Sequence, residues 1–516
     1  MRAARASASA LGAAIAVLLL AGGGEATGTV AFPYGLAAGE VTASSALLWT
    51  RPSRPGLVEV EVALDERFFR VVLRASRRAR LATDLAVRLA ARGLRPGRRY
   101  FYRFRQGGAT SEVGRFRTAP PPDHAASVRF AVSGDADATR RPNGSPAFNR
   151  FQIYARMAEE GNDFNVNLGD TIYSDSSVGG ARPALTVAEK RAKYRQALAL
   201  PALRKLRATA SLYSHWDDHE FVNDFSRPEH GEALYSAGVK AFLDYAPVRY
   251  TTADGLYRTF RWGQTVELFF LDERSFRSAK ASAGGACTVG SFPDVAPTAP
   301  ASVRQAFASL LPPLARPAPK GCIDRIEDPA RTMLGQRQLR RFLADVARST
   351  ATFKVILNEV PLQQFYALPY DRWEGYAAER RTVVEALRRV PGTIVLTTDT
   401  HANLVGDVRL RTLEREGPLD TGLTEVVTGP VATSTFAREI DAVVGAPGTG
   451  RLVSLLFLKP LPPRGIGMRC VAPDVYSYAE VEATPTRLTV TLKDMHGRRV
   501  VDASGAPCPR VVLPAP

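Results

Sequence analysis

The sequence predicts an α/β fold preceded by an N-terminal antiparallel β-sandwich domain, and three observations predict it. The first is a change of grammar: short alternating runs fill residues 29–118, whereas from residue 128 strand-length apolar runs alternate with helical patterns. The second is the stretch APPPDHAAS, residues 119–127, which separates the two regimes. The third is that several later runs are apolar along most of their length, as strands buried on both faces are. At 516 residues the chain is also too long for one ordinary core.

Residues 1–26, MRAARASASALGAAIAVLLLAGGGEA, have the layout of a secretory signal peptide. Arg2 and Arg5 precede an apolar run from about Ala10 to Ala21, and Gly24 and Ala26 suit a small-x-small cleavage. The run is too short to span a bilayer comfortably, so no transmembrane segment is expected after cleavage. The mature chain is expected to begin near Thr27 and to be secreted or periplasmic. No cysteine follows the run, which argues against a lipoprotein, and the separated arginines weaken a twin-arginine reading.

The runs ALLWTRP, VEVEVAL, RVVLRA, AVRLAARGL, RYFYRFRQ and GRFRTAP are short, alternating and split by Gly, Pro and charged turns, the pattern of a sandwich over 29–118. Three prolines then make 119–127 a stiff linker and the expected boundary. In 128–516 the strand candidates are VRFAVSGD, DFNVNLGD, SLYSHWDD, VELFFLDE, FKVILNE, TIVLTTD and TEVVTGP, with helical patterns such as FNRFQIYARMAEEG and QLRRFLADVARS between several of them. TVTLKD reads as the last strand. Residues 281–331 read as a long Gly/Ala/Pro-rich excursion.

The four cysteines, Cys287, Cys322, Cys470 and Cys508, form no C-x-x-C pair, so two disulfides are expected rather than a zinc cluster. Neighbours in sequence suggest 287 with 322 and 470 with 508, although the sequence allows all three pairings. The formal charge is +17, of which Arg2 and Arg5 against Glu25 supply +1, leaving +16 on the mature chain. Such a field favours anionic partners, but no Lys/Arg run with interleaved aromatics marks specific nucleic-acid binding.

The chemistry lies at the strand ends. Six of the seven runs stop at an acidic residue, and open α/β sheets gather ligands beyond the carboxyl ends of their strands. SGDAD supplies Asp135 and Asp137, LGDTIY supplies Asp170 and Tyr173, HWDDHEFVND supplies Asp217, Asp218, His219, Glu220, Asn223 and Asp224, and TTDTHAN supplies Asp399, His401 and Asn403. Carboxylates converging on one sheet edge repel one another unless a cation sits among them. Oxygen-rich donors with one or two histidines suit hard or intermediate ions such as iron(III), manganese or calcium, and a tyrosinate at Tyr173 is a hard donor for iron(III).

These residues carry a resemblance. Segments FPYGLAAGEVTASSALLWTRP, VGRFRTAP, LGDTIY, WDDHEFVND, LFFLDERSFRS, MLGQRQLRRFL, DRWEGYAAER and TTDTHAN, in that order from Phe32 to about Asp494, resemble the PhoD-like alkaline phosphatase/phosphodiesterase family of metallophosphoesterases. The resemblance implies a four-layer α/β/β/α catalytic domain over 128–516 holding two or three metals, commonly iron(III) with calcium, with manganese or zinc as alternatives. It implies Asp170 as the bridging carboxylate, Tyr173 as the iron ligand, Asp218 and Asn223 as ligands from the third loop, and Asp399 and His401 as two more. His219 is similar to the family's histidine that contacts substrate or leaving group. Where the family often has Ser-Cys-Gln after the first strand, this chain has Ser133-Gly134-Asp135, so Asp135 stands for the thiolate as in purple acid phosphatases, with Asp137 a second candidate. Asn358 is a further candidate for a purple-acid-phosphatase histidine position. Arg274, in LDERSFR, is a candidate phosphate clamp, weighed against an ion-pair role. Trp373, Tyr376 and Arg380 are expected to pack a helix near the site.

The function so implied is hydrolysis of phosphodiesters or phosphomonoesters, small or polymeric, by a metal-activated water. Asp170 bridges the metals, and His219 assists the departing alkoxide. A purple-acid-phosphatase-like enzyme and a non-catalytic secreted binding module with a lapsed site are the alternatives.

Overall fold

The computed structural model describes residues 31–516, and the signal-peptide expectation for 1–26 lies outside them. Eight strands come first: β1 (Leu36–Gly39), β2 (Ser45–Thr50), β3 (Gly56–Ala63), β4 (Val71–Ala79), β5 (Val87–Arg92), β6 (Arg99–Gln106), β7 (Ala109–Thr110) and β8 (Gly114–Arg117). They form two antiparallel sheets, β1-β2-β5 and β4-β3-β6-β7, with β8 also on β6. In β6, Tyr100, Tyr102 and Phe104 are buried while Arg99 and Arg105 are exposed, the period of two that a half-buried strand requires. A one-residue slip in register would turn arginines into the core, so the aromatic/arginine alternation fixes the pairing. β1 and β7, short and poor in branched residues, are additions to the sequence reading.

Residues 119–127 contain no helix or strand. Their backbone is nevertheless tied down, since the His124 carbonyl accepts from Gln264 N at 2.8 Å and the Ala126 carbonyl from Thr265 Oγ1 at 2.6 Å. The residues Ala31–Pro516 form one compact unit.

The next strands are β9 (Val128–Ser133), β10 (Phe164–Leu168), β11 (Ser211–His215), β12 (Arg258–Trp262), β13 (Val266–Phe270), β14 (Thr288–Val289), β15 (Phe292–Pro293) and β16 (Phe353–Asn358). They are followed by β17 (Thr393–Thr397), β18 (Asn403–Arg411), β19 (Leu419–Val427), β20 (Cys470–Ala472), β21 (Ser477–Thr484), β22 (Arg487–Asp494) and β23 (Val511–Pro514). One mixed sheet runs β11-β10-β9-β21-β22-β23 and the other β12-β13-β16-β17-β19-β18-β20, while β14 and β15 pair only with each other. Within the first sheet β9, β10 and β11 are parallel, and within the second β13, β16, β17 and β19 are. TVTLKD lies in β22 but is not the last strand: β23 adds antiparallel to it at the edge.

Facing side chains of the two sheets share one core. Phe164 and Val166 of β10, Phe130 of β9, Leu268 and Phe270 of β13, and Val355 and Leu357 of β16 belong to it, and Phe164 meets Trp262 at 4.5 Å between ring centroids. Burying a side chain such as Phe164 contributes about 2–3 kcal/mol. The intervening residues point away. Ile356 and Val395 pack on the helices Gly335–Arg348 and Ala377–Leu387, and Ala131 and Leu212 pack on Gln152–Met157 and Pro201–Thr209. Asn167, on the same outer side of β10, donates to Tyr154 Oη at 2.5 Å, which explains the asparagine alternation in FNVNL.

The excursion 281–331 holds β14, β15 and the short helices Ala301–Phe307 and Lys320–Glu327, and the disulfide Cys287–Cys322 closes it. Cys470–Cys508 is the second disulfide, so the pairing is between sequence neighbours. Among the described residues no single helix is long and apolar enough to cross a membrane.

Candidate metal centre

The parallel strands β9, β10 and β11 of one sheet and β17 of the other each end in an acidic loop, and the side chains of these loops meet. Gly169, at φ +115°, lets the end of β10 lie against β11: a Cβ there would come within 2.5 Å of Asp217 Cβ. The residues that follow are held in left-handed backbone that non-glycine residues rarely adopt, with φ of 61° at Asp135, 50° at Asp170, 67° at Asp399 and 52° at His401. Strain of this kind clusters where side chains must be aimed at one point.

They are aimed at one another. Ligand atoms of Asp135, Asp170 and His401 lie within 4.8 Å of one another, and so do those of Asp170, Asp218 and His219. Asp170 belongs to both groups, the position a carboxylate bridging two cations must take. Two further groups, Asp217–Asp218–Asp399 and Asp218–Asp224–Asp371, extend the cluster through Asp218.

Asp170 is buried, and its Oδ1 accepts from His219 N at 3.1 Å. Burial, with Asp218, Asp217 and Glu220 close by, raises its carboxyl well above the ordinary range, against the pull of His219. Burial likewise brings Asp135 up to about 6, opposed by His401, and its Oδ2 has no hydrogen-bond partner. Asp399 is raised well above the usual range by burial and by Asp217 and Asp371, with Arg274 opposing. A buried, unpaired carboxylate oxygen among like charges is a donor waiting for a cation, and the donor set of carboxylates, histidine and phenol fits a hard one.

Tyr173 is buried, its Oη sits 2.9 Å from His401 Nε2, and its ring stacks on His219 at 4.1 Å. Burial and the carboxylates of Asp170, Asp135 and Asp137 hold its phenol well above its ordinary pKa. His401 is fixed from behind, with Nδ1 2.7 Å from Glu439 Oε1. His219 is fixed in the same manner, with Nδ1 2.5 Å from Asp175 Oδ1. Burial works against its charged form, but Asp170, Asp218 and Asp175 outweigh it and raise its pKa well above the usual value.

Three of the expected residues stand apart. Asp137 lines the same cleft, but its Oδ1 caps Thr139 N at 2.7 Å and it joins none of the groups. Asn223 is exposed at the cleft rim, held by its backbone N donating to Asp175 Oδ2 at 2.7 Å. Arg274 is fully buried and does not line the cleft. Its Nη1 donates to both oxygens of Asp371 at 2.8 Å, its Nε to Asp217, and its Nη2 lies 3.6 Å from Asp399 Oδ1. The guanidinium therefore faces carboxylates, and the ion-pair alternative, not the phosphate clamp, is what the geometry presents. Asn358 is also buried, donating to the Val360 carbonyl and accepting from Trp373 Nε1 at 3.1 Å.

Sequence reading missed Asp175, Asp371 and Glu439. Asp371 opens the quoted DRWEGYAAER and so lay inside a recognised segment, whereas Asp175 stands two residues beyond the end of LGDTIY. Burial would raise Asp371, but Arg274 and Arg277 outweigh it and hold the carboxyl near 2. Glu439 had no local signal, since it comes from the helix Phe436–Val444, remote in sequence. The groups open on a cleft of 540 Å³ walled by Asp170, Tyr173, His219, Asp371, His401 and Phe436 among others.

A mixed α/β fold that gathers buried Asp and His groups at its strand ends is built to hold metal cations. The chain belongs to the PhoD-like phosphatase family: that family's model matches residues 142–453, and the model of the PhoD-like phosphatase N-terminal domain matches 19–120. Alkaline phosphatase D of Bacillus subtilis (strain 168) is 25% identical over 425 residues, which cover 73% of this chain and 66% of that relative's length. Among solved structures, that of PhoD superposes with a TM-score of 0.71 at 21% identity, covering 94% of this chain and 90% of the other. A purple acid phosphatase from yellow lupin (Lupinus luteus) seeds shares the fold at a TM-score of 0.54 and 12% identity, covering 91% and 73%.

Proposed function

We propose that the chain hydrolyses phosphate esters, diesters and monoesters both being candidates, in a site where Asp170 is shared between two metals. The observation that carries this reading is the membership of Asp170 in two donor groups, one completed by Asp135 and His401 and the other by Asp218 and His219. Asp399, the buried Asp137 and, at the rim, Asn223 are the remaining candidate ligands, with Tyr173 as a candidate phenolate donor. The two sheets with helices outside them are read as the four-layer α/β/β/α arrangement of metallophosphoesterases over 128–516, 29–118 as the N-terminal β-sandwich domain packed against it, and 119–127 as the linker.

Metals held by these residues supply an acidified water and positive charge for the phosphoryl oxygens. The protein's part is to aim and to move protons. Glu439 fixes the His401 ring through Nδ1, leaving Nε2 toward the donor group. Asp175 does the same for His219 through Nδ1, so that Nε2 is the nitrogen available to donate to a departing alkoxide. General-acid help of this kind contributes about 10²- to 10⁴-fold. Arg274 keeps Asp217 and Asp371 in place from below, and its charge limits the repulsion that would otherwise splay the loops. The net charge of +16 on the mature chain draws anionic esters toward the cleft.

Iron(III) with calcium is the metal pair we favour, with manganese or zinc as alternatives. Asp135 in place of a thiolate shifts the first position toward a harder, purple-acid-phosphatase-like donor set. The layout of residues 1–26 supports a secreted or periplasmic enzyme. The test is turnover of bis(p-nitrophenyl) phosphate beside p-nitrophenyl phosphate by the metal-loaded chain, with Asp170→Asn as control. Turnover that Asp170→Asn abolishes supports the reading. A folded, loaded chain that cleaves neither ester overturns it.

A further inference from the structure

The wall of the cleft that carries Glu439 continues outward as an apolar ridge that the reaction does not use. The ridge consists of the helix Phe436–Val444, a four-residue turn, and a second helical stretch from Thr449 to Leu458. The inner side of the first helix, with Phe436, Glu439 and Ile440, lines the cleft. Val443, at the outer end of that cleft-lining face, is 80% exposed, and beyond it the ridge is bare: Leu452 is 56% exposed, Leu456 69%, and Leu461 72%. Leu452 and Leu456 are four residues apart and so share one helix face. Leu368, from another loop lining the cleft, is 54% exposed as well. Scattered exposed leucines need no explanation, but several on one ridge beside a site mark an interaction surface.

The ridge is apolar enough to satisfy the composition of a membrane span, yet its halves meet at 114°, which rules out a straight crossing. It is also anchored. Ala437 N donates to the Pro473 carbonyl at 2.9 Å, Phe436 N to the His401 carbonyl at 3.0 Å, and Phe457 packs edge-on against Phe307 at 5.0 Å. A bent, anchored apolar ridge can lie in the plane of a lipid–water interface without entering it deeply.

Charge selects the kind of interface. The two acids of the ridge are turned to other tasks: Glu439 holds His401, and Asp441 caps Gly448 N and Gly450 N at 2.8 Å. Arg451 and Arg464 remain exposed among the leucines, on a mature chain of net charge +16. We propose that the ridge 436–461 docks on a bilayer bearing anionic phospholipid headgroups, with Leu452, Leu456 and Leu461 entering the interface and the arginines meeting the phosphates. The docking itself rests on the ridge. Its consequence, that the cleft takes esters presented at that surface, rests on the phosphoesterase reading above.

The test uses the metal-loaded mature chain, sedimented with vesicles of phosphatidylcholine containing about a third phosphatidylglycerol and with pure phosphatidylcholine vesicles. The chain is expected to pellet with the anionic vesicles and far less with the neutral ones. The double variant Leu452→Ser/Leu456→Ser is expected to lose at least about tenfold in partitioning while cleaving soluble bis(p-nitrophenyl) phosphate at the unaltered rate. Failure of the wild-type chain to bind anionic vesicles while it cleaves the soluble diester would overturn the docking and leave the phosphoesterase reading intact. Equal binding by the double variant would also overturn it, as would a dimer in solution that the double variant dissolves, which would make the ridge a self-association face. Binding that the double variant loses, in a chain that cleaves no soluble diester, would support the docking and defeat the functional reading instead.

Discussion

Replacing Asp170 with asparagine is predicted to change the sign of its effect on stability according to whether metal is present. Asparagine keeps the size of the side chain and an oxygen to accept from His219 N, so the perturbation is the loss of one charge. In the metal-free chain that charge is a burden, because Asp170 is 1% exposed and faces Asp218, Asp217 and Glu220. Removing it should stabilise the metal-free fold by about 1–3 kcal/mol. For a chain this long that corresponds to a rise of a few degrees in Tm. In the loaded chain the order reverses. A metal at a thousandfold its Kd stabilises by about 4 kcal/mol per site, and Asp170 serves both groups, so the variant forfeits most of that gain twice over. The assay is differential scanning calorimetry of both proteins in chelator and in excess metal, with elemental analysis of the same samples. An Asp170→Asn variant that is less stable in chelator, or that keeps its full metal content, would refute the reasoning.

Other predictions concern residues at and away from the cluster. Tyr173→Phe should remove the visible charge-transfer absorption of the iron-loaded chain, and an unchanged spectrum would exclude Tyr173 as an iron donor. Asp84 is 18% exposed and is tied to Arg195 at 2.5 Å and Arg51 at 3.0 Å; burial opposes its charge, but these arginines and Tyr245 hold its pKa below the usual value. Its contribution is therefore present above the unfolded pKa near 4 and lost as pH falls through the folded one, so Asp84→Asn should cost about 1–3 kcal/mol at pH 7 and progressively less below pH 4. A constant gap between the denaturation midpoints would contradict this. Burial brings buried Lys190 down to about 8, with its Nζ donating to the Phe221 carbonyl at 2.8 Å. The unfolded chain keeps that proton to about pH 10, so stability rises with pH between the two values. Lys190→Met should be more stable than the wild-type chain by about 2 kcal/mol at pH 7, after allowing about 1 for the lost hydrogen bond, and lose that advantage by pH 10.5. An equal offset at both pH values would refute the assignment.

The parts of this fold that were legible in sequence are those where one local pattern decides. β6 announces itself by aromatic/arginine alternation, and β16 and β17 by apolar runs that only a sheet covered on both faces accommodates. Short elements such as β1, β7 and β20, and the late β23, carry no such signal because partners distant in sequence define them. The same division runs through the site. Asp135, Asp170, Asp218 and Asp399 end strands and could be collected from the sequence, whereas Glu439 and the role of Asp371 arise from helix and loop packing. Arg274 shows the limit most clearly: its segment was recognised, but only the fold reveals that its guanidinium is spent on Asp217 and Asp371.

The measurement that bears most directly on the central claim is a metal titration of the stripped chain, following bis(p-nitrophenyl) phosphate turnover against metal bound per chain. Turnover should be absent without metal and should rise to a plateau at about two equivalents, the number that two donor groups sharing Asp170 can hold. Full turnover by a chain stripped of metal, or saturation with metal and no turnover, would contradict the account.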